Sequence, residues 1–159
     1  MKRNFALLAV ALLGVLALAL PAGAAPPFTD TFAESGSEPV PCDGFDAILE
    51  RTLTGRVTVY FDNEGNPLRV QVHATMTGSV TNSVSGKSVG LRGHIHVVND
   101  FRSGVATWTG PVFLANAPGD GSVVTDTGRI SFVGDEIVFE AGPHQVIEEG
   151  AAVFCAAIA

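Results

Sequence analysis

The chain has 159 residues, with 16 acidic side chains against 9 basic ones and a formal charge of −7. An acidic surface without a Lys/Arg stripe excludes nucleic acid as the expected partner and argues against docking on anionic lipid. The two cysteines form no C-x-x-C pair, so dithiol redox chemistry is not indicated either.

Residues 1–24 read as a secretory signal peptide. Lys2 and Arg3 supply a positive start, Phe5 to Leu20 is apolar throughout, and Ala22-Gly23-Ala24 gives the small-x-small pattern cut by a signal peptidase. The apolar run is short for a spanning helix, which needs about 20 residues. No Cys follows it to carry lipid, and no second apolar stretch of spanning length occurs. A retained amphiphilic anchor is the competing reading. Cleavage before Ala25 predicts a secreted or extracytoplasmic chain of 135 residues without a stable membrane span, a natural size for one domain. Loss of Lys2 and Arg3 moves its charge from −7 to −9.

Residues 25–41 are rich in Pro, Ser, Thr and acid and read as a flexible lead-in. The domain proper is expected over residues 42–159. Cys42 and Cys155 bracket it, and in an oxidising compartment they predict one disulfide. Closing so long a loop removes unfolded-state entropy worth at most about 4–5 kcal/mol in the chain-entropy model.

From Cys42 onward the period is two. Leu68, Val70, Val72, Ala74, Met76 and Val80 alternate with Arg69, Gln71, His73, Thr75, Thr77 and Ser79, which predicts a strand with one buried face. Val57, Val59 and Phe61 alternate upstream, and Asp62-Asn63-Glu64-Gly65-Asn66-Pro67 between the two runs is turn chemistry, so they form a hairpin. Val89 to Val97, Val105 to Asn116, Ser122 to Val133 and Glu136 to Ala141 repeat the pattern, and Ala47 to Leu53 reads as a weaker strand. Pro111 marks an edge, bulge or break inside its run. The Ala-rich Val146 to Ala159 is open between a short helix and a last strand. The expected fold is all-β: a single antiparallel meander of about 7–8 strands closed into a β-barrel, with a β-sandwich as the runner-up.

Two constellations could carry chemistry. His94-Ile95-His96 has metal-ligand spacing, and residues two apart on a strand share a face, which also holds Arg92. His73 on its own strand's polar face is a third candidate. Zinc or copper needs three or four ligands, so the pair alone falls short, and solvated polar-face histidines are the competing reading. The H-x-H spacing is shared with cupins and with copper-zinc superoxide dismutases, but the flanking glycines of the first and the remaining ligands of the second are missing here. Pro143, His144 and Gln145 follow Gly142 and read as a conformational corner whose polar side chains bond the backbone, with a catalytic His144 as the sharper alternative. No phosphate loop or nucleophile elbow occurs.

The runs F-D-N-E-G-N-P-L-R-V (Phe61–Val70), Gly128-Arg129-Ile130, F-E-A-G-P-H-Q (Phe139–Gln145) and Cys155-Ala156-Ala157, with Cys42-Asp43-Gly44-Phe45 at the start, resemble small secreted bacterial β-barrel proteins of no assigned activity. The resemblance implies fold and export and carries over no site residue. The expected role is a non-catalytic binding or interaction module, with a small apolar ligand as one guest and no cofactor. The alternative is a metal-dependent or cyclase-like enzyme using His73, His94 and His96. The two part on which strand face lines the interior.

Overall fold

In the computed structural model residues 25–159 are described, and the expected signal peptide lies outside them. Seven strands follow in chain order: β1 (Phe28–Cys42), β2 (Phe45–Phe61), β3 (Pro67–Asn82), β4 (Ser88–Asp100), β5 (Val105–Ala117), β6 (Gly121–Val133) and β7 (Glu136–Ala141). Two short helices end the chain, α1 (Gln145–Glu149) and α2 (Ala152–Ile158). The strands form one sheet in the order β1-β2-β3-β4-β5-β6-β7, every neighbour antiparallel.

The all-β meander therefore stands, and three finer expectations are corrected. One sheet replaces the two of a sandwich. The sheet is also open: β1 and β7 sit at opposite ends of the strand order and share no ladder, so the closed barrel expected from long strands is not reached. Finally, the segment read as a flexible lead-in is β1, paired with β2 from Phe28–Val59 to Cys42–Phe45. The composition that disguised it is edge-strand composition. Asp30, Glu34 and Glu38 lie on the same face as the apolar side chains, and Pro39 and Pro41 remove donors; both features discourage a second chain from pairing there.

The turns behave as their residues dictate. At β2–β3 the Asp62 carboxylate accepts the amides of Glu64 (2.9 Å) and Asn66 (2.8 Å). These bonds, the Asn66 amide foremost, hold its carboxyl below the usual carboxylate range. Asp100 repeats the arrangement with Ser103 and Arg102. Pro111 sits at an irregularity in the β5–β6 ladder, as a residue without an N–H requires.

Strand alternation gives the sheet two unlike faces. Ala74, Met76, Val80, Val89, Leu91, Ala115, Val124 and Ile130 are buried on one of them, while Arg56, His73, Thr75, Arg92, His94 and Arg129 stand on the other. Close strand approach at its glycines makes the apolar face the concave one. Glycines on it allow neighbouring strands to lean in: a Cβ on Gly93 would strike the Val112 carbonyl, and one on Gly128, at φ +130°, would strike that of Ala141. Such kinks are how a sheet curls instead of twisting flat.

α2 caps one end of this concave face. Phe154 and Ile158 are buried against Ala47, Val80, Val89, Leu91, Ala115 and Val124, each contributing about 1.5–3 kcal/mol by burial. The Asn82 side chain donates to the Ile158 carbonyl (3.1 Å), giving the final carbonyl of the helix a partner, and Lys87 Nζ donates to the oxygen of Ala159 just beyond it (3.1 Å). The expected Cys42–Cys155 disulfide is present with a Cα–Cα distance of 5.6 Å, tying α2 to the end of β1. Among the described residues no helix is long and apolar enough to cross a membrane.

Candidate functional site

The histidines divide between the two faces. On the convex face the register sets His73 opposite His96 and Thr75 opposite His94. The His73 and His96 rings stack at 4.2 Å with planes 12° apart, and His94 Nδ1 lies 3.3 Å from the Thr75 hydroxyl. Burial, then the charges of His73 and His94, hold the His96 imidazole below its usual range, so it is neutral at pH 7. Arg92 is on the same face, two residues before His94, and is exposed. Stacking lays two rings face to face rather than turning their nitrogens toward one point. Among the described residues no three His, Cys, Asp or Glu side chains come together as a metal-ligand group.

The corner residues lie on the other face. His144 is 1% exposed and Asp126, its partner across an isolated bridge, 0%. His144 Nδ1 is 3.0 Å from Asp126 Oδ1, and the Ile147 amide donates to Asp126 Oδ2 (3.2 Å). Burial is the largest influence on the ring and disfavours its charge. The hydrogen bond and charge of Asp126 together outweigh it, helped by the Ala141 carbonyl and Glu140, so the imidazole titrates above its ordinary value. Nε2 is buried with no hydrogen-bond partner; the Ala141 carbonyl acts on the ring without reaching bonding geometry there.

What the corner does for the fold is plain. β7 ends at Ala141, leaving the β6 edge from Thr127 back to Gly121 without a strand. The Pro143 carbonyl accepts the Thr127 amide (2.8 Å) and the Gln145 side chain accepts the Thr125 amide (2.7 Å), so the corner takes over where the strand stops. A catalytic His144 needs access to substrate, and this ring is sealed. Asp126 escaped the sequence reading, although its signal was there: it is the one acid in the apolar series Val124, Asp126, Gly128, Ile130, Phe132.

A third feature went unnoticed in sequence. The apolar stripe runs the full length of the strands, but α2 covers only one end. Toward the β2–β3 and β4–β5 turns, Val59, Phe61, Val70, Val97, Trp108 and Phe132 are only half-buried or line the rim, with Trp108 edge-on to Phe132 at 5.7 Å between ring centres. At this uncovered end stand Phe28 (45% exposed), Phe101 (48%) and Ile137 (43%). A shallow depression lined by Ser35, Glu50 and Thr77 lies elsewhere and holds no histidine or aromatic side chain.

Comparison with protein-family models, with curated proteins and with solved structures yields no match to this chain. The resemblance to small secreted bacterial proteins therefore rests on its turn and corner motifs alone.

Proposed function

We propose that this protein is an exported, non-catalytic binding module that takes a small apolar ligand through the uncapped mouth of its concave face, the curled sheet serving as a split barrel. The carrying observation is the set of exposed apolar side chains, Phe28, Phe101 and Ile137, at the one end of the stripe that no helix covers. Large apolar side chains left exposed at an uncovered sheet end suit a binding surface, and the mouth of a barrel is a usual place for one. Export rests on the Met1–Ala24 pattern and on the disulfide, which suits an oxidising compartment. The enzyme reading is weaker because it needs His73, His94 and His96 beside a pocket. They stand on the face opposite Trp108.

Trp108, the single tryptophan, reports on the mouth directly. Titration with palmitate is expected to give a saturable blue shift of its emission at one ligand per chain. Replacing Phe28 and Ile137 by Ser together weakens that binding about tenfold or more, since withdrawing each apolar side chain from the ligand costs about 1 kcal/mol. The His94→Ala, His96→Ala double variant binds as the native protein does. An unchanged Trp108 spectrum, or dependence on the histidines, overturns the reading.

A further inference from the structure

We infer that the convex face is a second binding surface, for an acidic polysaccharide, and that it engages more tightly as the pH falls. One ladder row crosses this face as Arg56–His73–His96–Thr109–Arg129, from β2 to β6. At about 4.8 Å per strand the row spans about 19 Å. His94 and Arg92 continue the positive surface along β4. Of the seven basic residues outside the expected signal peptide, four lie in or beside this band when Arg69 is counted, in a chain with 16 acids.

The segregation is sharp. No carboxylate stands in the row, in the neighbouring row from Thr58 through Gln71 and Thr107 to Ser131, or in the rows of His94 and Arg92. The acids on this face border the band: Asp100 opposite Arg69, Glu136 at the β7 end of that same row, and Glu50 opposite Ser79. The groups facing His96 are His73 on β3, His94 on its own strand and Thr109 on β5, with Arg56 and Arg129 beyond them. Nothing there offsets a positive charge, so protonating His96 is opposed without an anion and favoured with one. Imidazoles are the side chains that gain charge just below neutrality. The depressed His96 ring, stacked on His73, gains most from an anionic partner.

The rest of the band selects the kind of polyanion. Thr54, Thr75, Thr77 and Thr109 present hydroxyls between the cations, which suits the hydroxyls of a sugar chain lying on a broad sheet. Single-stranded nucleic acid wants aromatic platforms for its bases; the row holds none, and Tyr60 and Phe139 beside it already carry the Arg69 and Arg129 guanidinium groups over their rings. A bilayer surface wants apolar side chains to insert; the row holds none, and Val98 and Leu114 beside it are half-buried. The net negative charge of the chain is screened beyond about 8–10 Å at physiological salt, so the local cations decide the contact.

The inference needs only this exposed face and stands apart from the apolar mouth. Its test is retention of the mature, disulfide-closed chain on dextran sulfate against uncharged dextran, at pH 7.5 and 5.5. Retention on dextran sulfate alone is expected, about tenfold tighter at pH 5.5. His73→Gln, His96→Gln removes that gain, whereas Arg56→Gln, Arg129→Gln weakens binding at both pH values; unchanged thermal melts show that these surface changes leave the fold intact. Arg51→Gln, on the concave side, has no effect. Absence of retention at pH 5.5, equal loss with Arg51→Gln, or tighter binding to oligothymidylate or to phosphatidylglycerol vesicles overturns the proposal.

Discussion

The Asp126–His144 pair concentrates the cost and the value of a buried polar contact in one place. Both side chains are sealed from water, and removing His144 leaves the Asp126 carboxyl buried without its partner, which costs about 3–5 kcal/mol. The pair also sets a pH dependence whose sign follows from the raised titration of His144. The folded ring holds its proton above the ordinary value near 6.5, so the stability it contributes is fully present below about pH 6.5 and is lost as the pH rises through the folded-state value. Denaturant midpoints measured from pH 6 to pH 9 are expected to fall, and the slope to flatten in Asp126→Asn; an equal slope in that variant contradicts the assignment. The sequence made His144 visible through the Gly-Pro-His-Gln corner. Its partner, eighteen residues earlier, could be found only by asking why an acid interrupts the apolar face of β6.

Strands β3 to β6 were legible because each keeps one face apolar and the other polar over ten or more residues, and their turns carry Asn, Asp, Gly and Pro at the reversals; β2 was read as two pieces, Ala47–Leu53 and Val57–Phe61, because Arg51 and Gly55 interrupt the apolar face of what is one strand. β1 was not, because an edge strand hides its pattern behind prolines, serines and inward acids. The Ala-rich tail left helix and strand open, and burial of Phe154 and Ile158 decided for helix. Curvature was also out of reach, since it depends on what each glycine's neighbour does. Gly93 and Gly90 separate the cases. A Cβ at Gly93 meets a backbone carbonyl, whereas one at Gly90 meets nothing within 4 Å. Gly93→Ala is expected to lower stability by about 1–3 kcal/mol in urea unfolding, well beyond any effect of Gly90→Ala. Equal effects at the two positions would show that the sheet does not depend on the kink.

For the molecule as a whole, closure was the expectation that long strands suggested and that the open strand order does not complete. Two devices take its place. The corner after β7 satisfies the exposed edge of β6, and the disulfide anchors the helical cap to β1 across 113 residues of chain. Replacing Cys42 and Cys155 by Ser is expected to remove about 2–5 kcal/mol of stability, read as a lower melting temperature of the non-reduced protein. A melting temperature unchanged by that substitution would mean that the cap holds by packing alone. The cap in turn leaves the opposite end of the apolar face uncovered, and that asymmetry is what the functional account depends on. Native mass spectrometry of the protein exported into an oxidising periplasm, with no ligand or metal added, tests it most directly. The account predicts a chain beginning near Ala25, two hydrogens lighter for the disulfide, carrying one apolar organic adduct that disappears in the Phe28→Ser, Ile137→Ser variant. A bare chain, or a stoichiometric metal adduct that disappears in His94→Ala, His96→Ala, would contradict it.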